Sequence, residues 1–185
     1  MRIIGGRWAG RTLQSPGGRV RPTGEEVRDR WMEELAADLP GARVLDLFAG
    51  SGALGLEAVS RGAAAADFVE WGGGALHALK GNVTSLRARS RCRIFKRDAV
   101  AFAAALEPLA YDLVLADPPY TSRLALRLVE MWQERPFSRI LAVEHPVEME
   151  FPAGGTGFVL DQTGVTVYRA PTPPISPGRP GSTGP

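Results

Sequence analysis

Asp117-Pro118-Pro119-Tyr120, directly after the apolar run Tyr111-Asp112-Leu113-Val114-Leu115-Ala116, sets an acid, two prolines and an aromatic ring at a strand end. Each proline fixes φ near about −65° and removes a backbone N–H, so the carbonyls of this turn have few internal donors. The Asp117 carboxylate and the Pro118 carbonyl then form a stiff row of acceptors beside the ring of Tyr120. Such a row can take both hydrogens of a planar amino group while the base that carries it stacks on the ring. Asp117, Pro118, Pro119 and Tyr120 are therefore the candidate catalytic residues. A purely structural X-Pro-Pro loop uses the same residue types, so the tetrapeptide needs a second motif to be read as a site.

That motif is Val44-Leu45-Asp46-Leu47-Phe48-Ala49-Gly50-Ser51-Gly52-Ala53-Leu54-Gly55, a glycine-rich turn between an apolar run and a helix-spaced segment. Gly50 and Gly52 let the backbone approach a ligand closely, and the helix beyond offers unbonded N–H groups. Gly50-x-Gly52-x-x-Gly55 also satisfies the dinucleotide pattern, but the acids argue otherwise. Asp46 lies inside one strand end, placed for an ammonium group. Glu70 closes the next strand, placed for ribose hydroxyls, and Asp98 closes the third, placed for an adenine amino group or as a helix cap. Three acids at successive strand ends suit a cationic ligand and repel a diphosphate, which points to S-adenosylmethionine (SAM) rather than NAD(P) or FAD.

Groups so far apart in sequence meet only if strands carry them to one edge. Short apolar runs at 43–48, 66–70, 93–96, 112–116 and 139–144 alternate with helix-spaced segments at 53–61, 75–86, 99–106 and 124–132. Repeated βα units with short connections predict an α/β fold with a doubly wound, mostly parallel, Rossmann-like sheet. Two late β-type runs, 156–160 and 164–169, complete seven strands as a closing hairpin. Before the core, 2–4 and 11–13 read as a small hairpin, and 25–39 as an amphipathic helix with Thr23 as N-cap. The expected domains are an N-terminal extension at 1–22, a core at 23–170 and a disordered tail at 171–185, where six prolines and three glycines offer nothing to offset ordering entropy.

With 185 residues, 44% apolar and 23% charged, the chain suits one well-cored soluble domain. The lone Cys92 excludes an internal disulfide and a cysteine zinc site, and the spacing of His77 and His145 indicates no metal. His77 reads as solvated, and His145 as a turn residue after the fifth strand. Neither a signal peptide nor an apolar run of about 18 residues is visible, so a cytoplasmic monomer without a membrane partner is expected. The net charge of +2 hides an asymmetry: residues 1–30 carry a net +4, and a second basic group follows at Arg87, Arg89, Arg91, Arg93, Lys96 and Arg97. That distribution points to a polyanion such as RNA or DNA.

Asp46-Leu47-Phe48-Ala49-Gly50-Ser51-Gly52 followed by Asp117-Pro118-Pro119-Tyr120 resembles the amino-group methyltransferases of the SAM-dependent class. Arg2-Ile3-Ile4-Gly5-Gly6 with Gly10-Arg11, Arg21-Pro22-Thr23 with Val27-Arg28, and Gly55-Leu56-Glu57-Ala58 narrow the resemblance. Together with the Glu70–Asn82 interval and Gly164-x-Thr166, they resemble the bacterial small-subunit ribosomal RNA (guanine-N2)-methyltransferases over about residues 1–169. The resemblance implies a SAM fold with an N-terminal β-hairpin, methylating a guanine of 16S rRNA, free or in the 30S subunit, of the guanine-966 type. It implies cofactor contacts from Asp46, Phe48, Ala49, Gly50 and Gly52 in the first turn. Glu70, Trp71, Asp98, Ala99 and Asp117 would supply the rest. Arg7, Trp8, Arg11, Arg21, Thr23 and Arg28 are the expected RNA contacts, arginines to phosphate and Trp8 by stacking or by packing on the domain. Trp71-Gly72-Gly73-Gly74 replaces the charged residue and acid usual in the family, Asp29-Arg30-Trp31-Met32-Glu33 replaces a small apolar stretch, and Thr163 replaces a tyrosine. Two other readings stay open on the residues: an adenine-N6 methyltransferase on DNA or RNA, and a SAM-binding RNA assembly factor without catalysis.

Overall fold

The computed structural model describes residues 1–16 and 24–171. Five apolar runs become β1 (Arg43–Leu47), β2 (Ala65–Val69), β3 (Cys92–Phe95), β4 (Tyr111–Ala116) and β5 (Ser138–Pro146), all paired in parallel. β6 (Thr156–Leu160) and β7 (Thr163–Arg169) form the closing hairpin, with β7 antiparallel to β5. The order β3-β2-β1-β4-β5-β7-β6 is the doubly wound, seven-stranded sheet expected from the sequence. The tail beyond 171, the 22/23 boundary and Thr23 lie outside the described residues.

Alternation along each strand divides the core into two layers. Val44, Leu113, Leu115 and Ala142 face one layer with α1 (Glu25–Glu34), α2 (Ala53–Ser60) and α3 (Gly73–Ser85). Leu45, Leu47, Val114 and Val143 face the other, under α4 (Ala99–Ala104) and α5 (Leu124–Glu134). α1 ends at Glu34 rather than Leu39: beyond it the Ala36 N–H donates to the Glu33 carbonyl at 3.1 Å and the Asp38 N–H to the Leu35 carbonyl at 2.9 Å, tighter turns that lead into Pro40. Leu35 and Leu39 stay buried all the same, carried on a turn.

The N-terminal hairpin is smaller than expected. Arg2 and Thr12 make a single antiparallel bridge, and a 3₁₀ turn at Gly6–Trp8 fills the loop. A hairpin this short is not stable by itself. It is fastened to α2 instead: the fully buried Glu57 carboxylate accepts from the Ile4 N–H at 2.9 Å and the Gly5 N–H at 2.7 Å. Arg61 Nε donates to the same carboxylate at 2.9 Å, and the buried Arg28 guanidinium lies 3.9 Å away. Arg28 also donates to the Arg2 carbonyl at 2.6 Å. Glu57→Ala is expected to cost about 3–5 kcal/mol in urea unfolding, since it strands a buried guanidinium and two amides. Glu57→Gln, which keeps an acceptor, is expected to lose less; equal losses would show that shape, not charge, holds the hairpin.

Candidate active site

Leu47 and Ala116 are register partners on adjacent strands, so Phe48 and Asp117 leave the sheet side by side. From β1 the chain builds outward through β2 and β3, and from β4 it builds the other way through β5. The crevice where the two directions part is where doubly wound sheets bind ligands. The two sequence motifs, about seventy residues apart, therefore share one site.

The glycine-rich turn is tightly bent. Phe48, Gly50 and Gly52 take φ of 61°, 56° and 80°, a region that disfavours side chains such as that of Phe48. At Gly52 space is closed as well, since a Cβ would stand 2.4 Å from the Leu79 side chain. The Glu70 carboxylate holds this turn from β2: it accepts from Gly50 N–H at 2.8 Å, Trp71 N–H at 2.8 Å and Gly72 N–H at 2.6 Å. A carboxylate has about four acceptor positions, so one remains for a ligand hydroxyl where the sequence reading expected two.

Asp46 is buried, and its Oδ2 accepts from the Gly55 N–H at 2.9 Å. Burial is the main reason its carboxyl is pushed up to about 8; the Gly55 N–H opposes this, and the nearby charges of Asp117 and Glu70 add to it. Carboxylates that repel one another across a crevice make a place for a cation.

Asp98 caps α4, with its Oδ1 accepting from Ala101 N–H at 2.7 Å, which leaves Oδ2 for other partners. Ala99 is buried beneath it, and Ala49 is buried in the first turn. Trp71 is 66% exposed at the rim. In the second turn Pro118 is buried while Pro119 is exposed. The Tyr120 hydroxyl donates to Glu144 Oε1 at 2.8 Å and stands 2.9 Å from Thr163 Oγ1, so the ring is tethered across the ends of β5 and β7. Burial and the Glu144 acceptor both hold its phenol above the usual range.

Two readings of the sequence need correction. Arg28 is fully buried under the hairpin and is not available to a phosphate. His145 belongs to β5 rather than a turn: it pairs with Gly164, its Nε2 lies 2.9 Å from Thr166 Oγ1, and its ring stacks on Phe151 at 4.0 Å. A Cβ at Gly164 would meet that ring at 2.5 Å, which accounts for the glycine. Arg7, Trp8 and Arg11 are brought together by the turn at the far end of α2. Trp8 packs partly on the core, with Arg7 over its ring at 4.0 Å. Arg21 and Thr23 lie outside the described residues. Among the described residues, no His, Cys, Asp and Glu group is arranged to hold a metal, and no helix is long and apolar enough to cross a membrane.

Sequence reasoning missed Glu144 and Asn82. Asn82 is buried on α3, donating to the Ser51 carbonyl at 2.9 Å and the Gln14 carbonyl at 3.0 Å. It thereby ties the glycine-rich turn to the N-terminal segment. The signal was present in each case: a lone polar residue closing the apolar run of β5, and another on the apolar face of α3.

The family model described as "Conserved hypothetical protein 95" matches residues 1–160. The chain belongs to this family. Ribosomal RNA small subunit methyltransferase D of Escherichia coli is 36% identical over 158 residues, covering 82% of this chain and 78% of that protein. Its Haemophilus influenzae namesake is 33% identical over 136 residues, covering 71% and 69%. A solved structure of a hypothetical protein from Thermus thermophilus superposes with TM-score 0.78 at 29% identity, covering 92% of this chain and 99% of that one. The family resemblance read from the motifs is thus borne out.

Within this family fold, Asp46 should govern a pH effect. The folded chain keeps a proton that the unfolded carboxyl releases, over the window from 3.8 to about 8. Stability therefore falls as pH rises through that window. Asp46→Asn is expected to flatten the decline between pH 5 and pH 8 in urea unfolding; an unchanged decline would assign it to another group.

Proposed function

We propose that this protein is a SAM-dependent methyltransferase acting on the exocyclic N2 amine of a guanine in 16S rRNA, of the guanine-966 type. The observation that carries this reading is the convergence of the glycine-rich turn and the Asp-Pro-Pro-Tyr turn at one switch point. The names of the curated relatives support rRNA of the small subunit as the substrate.

The residues present fit SAM, because a buried acid flanked by two further carboxylates favours a cationic ligand. SAM, when bound, supplies an electrophilic methyl group on a sulfonium. Asp46 would hold its ammonium group, which favours the ionised carboxyl and so releases a proton on binding below about pH 8. Phe48, Ala49, Gly50 and Gly52 would line it with backbone, and Glu70 would take one ribose hydroxyl. Trp71, Ala99 and the second oxygen of Asp98 would border the adenine.

Tyr120 provides the stacking face for a guanine turned out of its helix. The Asp117 carboxylate and Pro118 carbonyl accept the two N2 hydrogens, which aims the nitrogen lone pair at the methyl group. The lone pair of that amine is delocalised into the ring, so alignment is the main service; positioning can contribute about 7–11 kcal/mol at best. The proton lost from N2 passes to Asp117 or to water. Tyr120 is not a base, since its hydroxyl is engaged by Glu144 and Thr163.

The test is transfer of a tritiated methyl group to 30S particles and naked 16S rRNA lacking the modification, followed by nucleoside analysis. Label in N2-methylguanosine that is lost in Asp117→Ala is the expected result. Tyr120→Ala should lower kcat/KM by about 10–100-fold, the scale of a lost stacking contact, with Tyr120→Phe losing less. Label in N6-methyladenosine would transfer the assignment to an adenine methyltransferase. SAM binding without transfer to either RNA would make it a binding protein.

A further inference from the structure

The second basic segment of the sequence has no part in the site described above, yet the fold gives it a neighbour. The hairpin turn carries Arg7 and Arg11 down to the connection between α3 and β3, where Arg11 donates to the Ser85 carbonyl at 3.1 Å. Arg89 in that connection reaches Thr84 Oγ1 at 3.2 Å. Arg7 lies close enough to Arg91 for the two like charges to repel. Beside them opens a cavity of about 150 Å³ whose lining includes Arg43, Arg89, Arg91 and Arg93. Asp67 is the one acid in that lining, and it is occupied by the Arg93 guanidinium and by the Tyr111 hydroxyl at 2.7 Å.

Arg7, Arg11, Arg89 and Arg91 are all exposed, so their charge is concentrated at the surface. The cavity sits where β1, β2, β3 and β4 begin, whereas the crevice lies where β1 and β4 end. Strands of four to six residues separate the two by about 13–20 Å.

We infer that these arginines form a second nucleic-acid contact, which binds the sugar–phosphate backbone of the substrate RNA away from the target base. This rests on the proposed rRNA methyltransferase reading and narrows it, since the substrate must then be long enough to reach both edges of the sheet. Clustered guanidiniums with few acids are stabilised by phosphates, and arginine grips a phosphate with two parallel N–H donors. Contacts of this kind set position and affinity and carry no sequence information.

The experiment is equilibrium binding of 30S particles without SAM, from 50 to 200 mM salt, for the wild type and Arg89→Ala/Arg91→Ala. A control pair, Arg135→Ala/Arg139→Ala, removes equal charge from side chains held by the Ala104 carbonyl and Asp112. The first variant is expected to bind more weakly, with its log–log salt slope reduced by about 2, so that fourfold more salt costs it about 16-fold less affinity than it costs wild type. Its SAM affinity, and kcat at saturating particles, should match wild type. A wild-type slope, or an equal fall in the control pair, would overturn the surface. So would an equal effect on a short RNA holding only the target loop, because the contact would then not be remote. Binding that depends on Arg89 and Arg91 without any methyl transfer would refute the methyltransferase reading and leave the surface standing. Normal transfer with unaffected binding would do the reverse.

Discussion

The parallel pairing of β1 with β4 is the constraint on which the site depends. Neither motif is a site until that ladder sets Leu47 opposite Ala116. The next residues of both chains then enter the same crevice, one turn bent by glycines and the other stiffened by prolines. Both strands are buried on both faces, so their positions are set by the whole core and not by the site. A shift of one residue in either would turn the apolar side chains to the wrong layer and move Asp117 away from Phe48 together.

The site carries a cost built into its electrostatics. Asp46 is buried, loses hydration, and faces two more carboxylates, and one N–H from Gly55 does not compensate. Phe48 with its positive φ is a second unfavourable feature in the same turn. The acid becomes useful when a cation enters the crevice, because the ligand then favours the ionised carboxyl that burial disfavours. Glu70 works the opposite way. It accepts from three backbone amides, which keep the turn in shape, and has one acceptor position left over.

The N-terminal segment is joined to this site from two directions. Glu57 fastens its first residues to α2, the helix that follows the glycine-rich turn. Asn82 binds Gln14 and the Ser51 carbonyl with one amide, linking the end of the hairpin to the turn itself. Both side chains are buried and polar, and both replace the strand pairing that a hairpin with one bridge lacks.

Much of this was legible in the amino-acid sequence. Apolar periodicity gave the four βα units, the fifth strand and the late hairpin, because the period of a strand or helix is a local property of the chain. The composition of the two turns was legible for the same reason: proline and glycine act on their own backbone. What only the tertiary structure decided was the fate of the polar side chains. Arg28 and Arg11 are both arginines in a basic segment, yet one is sealed under the hairpin and the other stays in water. His145 sits before a proline yet pairs within β5 and stacks on Phe151, and the Tyr120 hydroxyl is held by residues from two other strands. A charge or hydroxyl is used by whatever comes within about 3 Å of it, and that neighbour comes from a distant part of the chain.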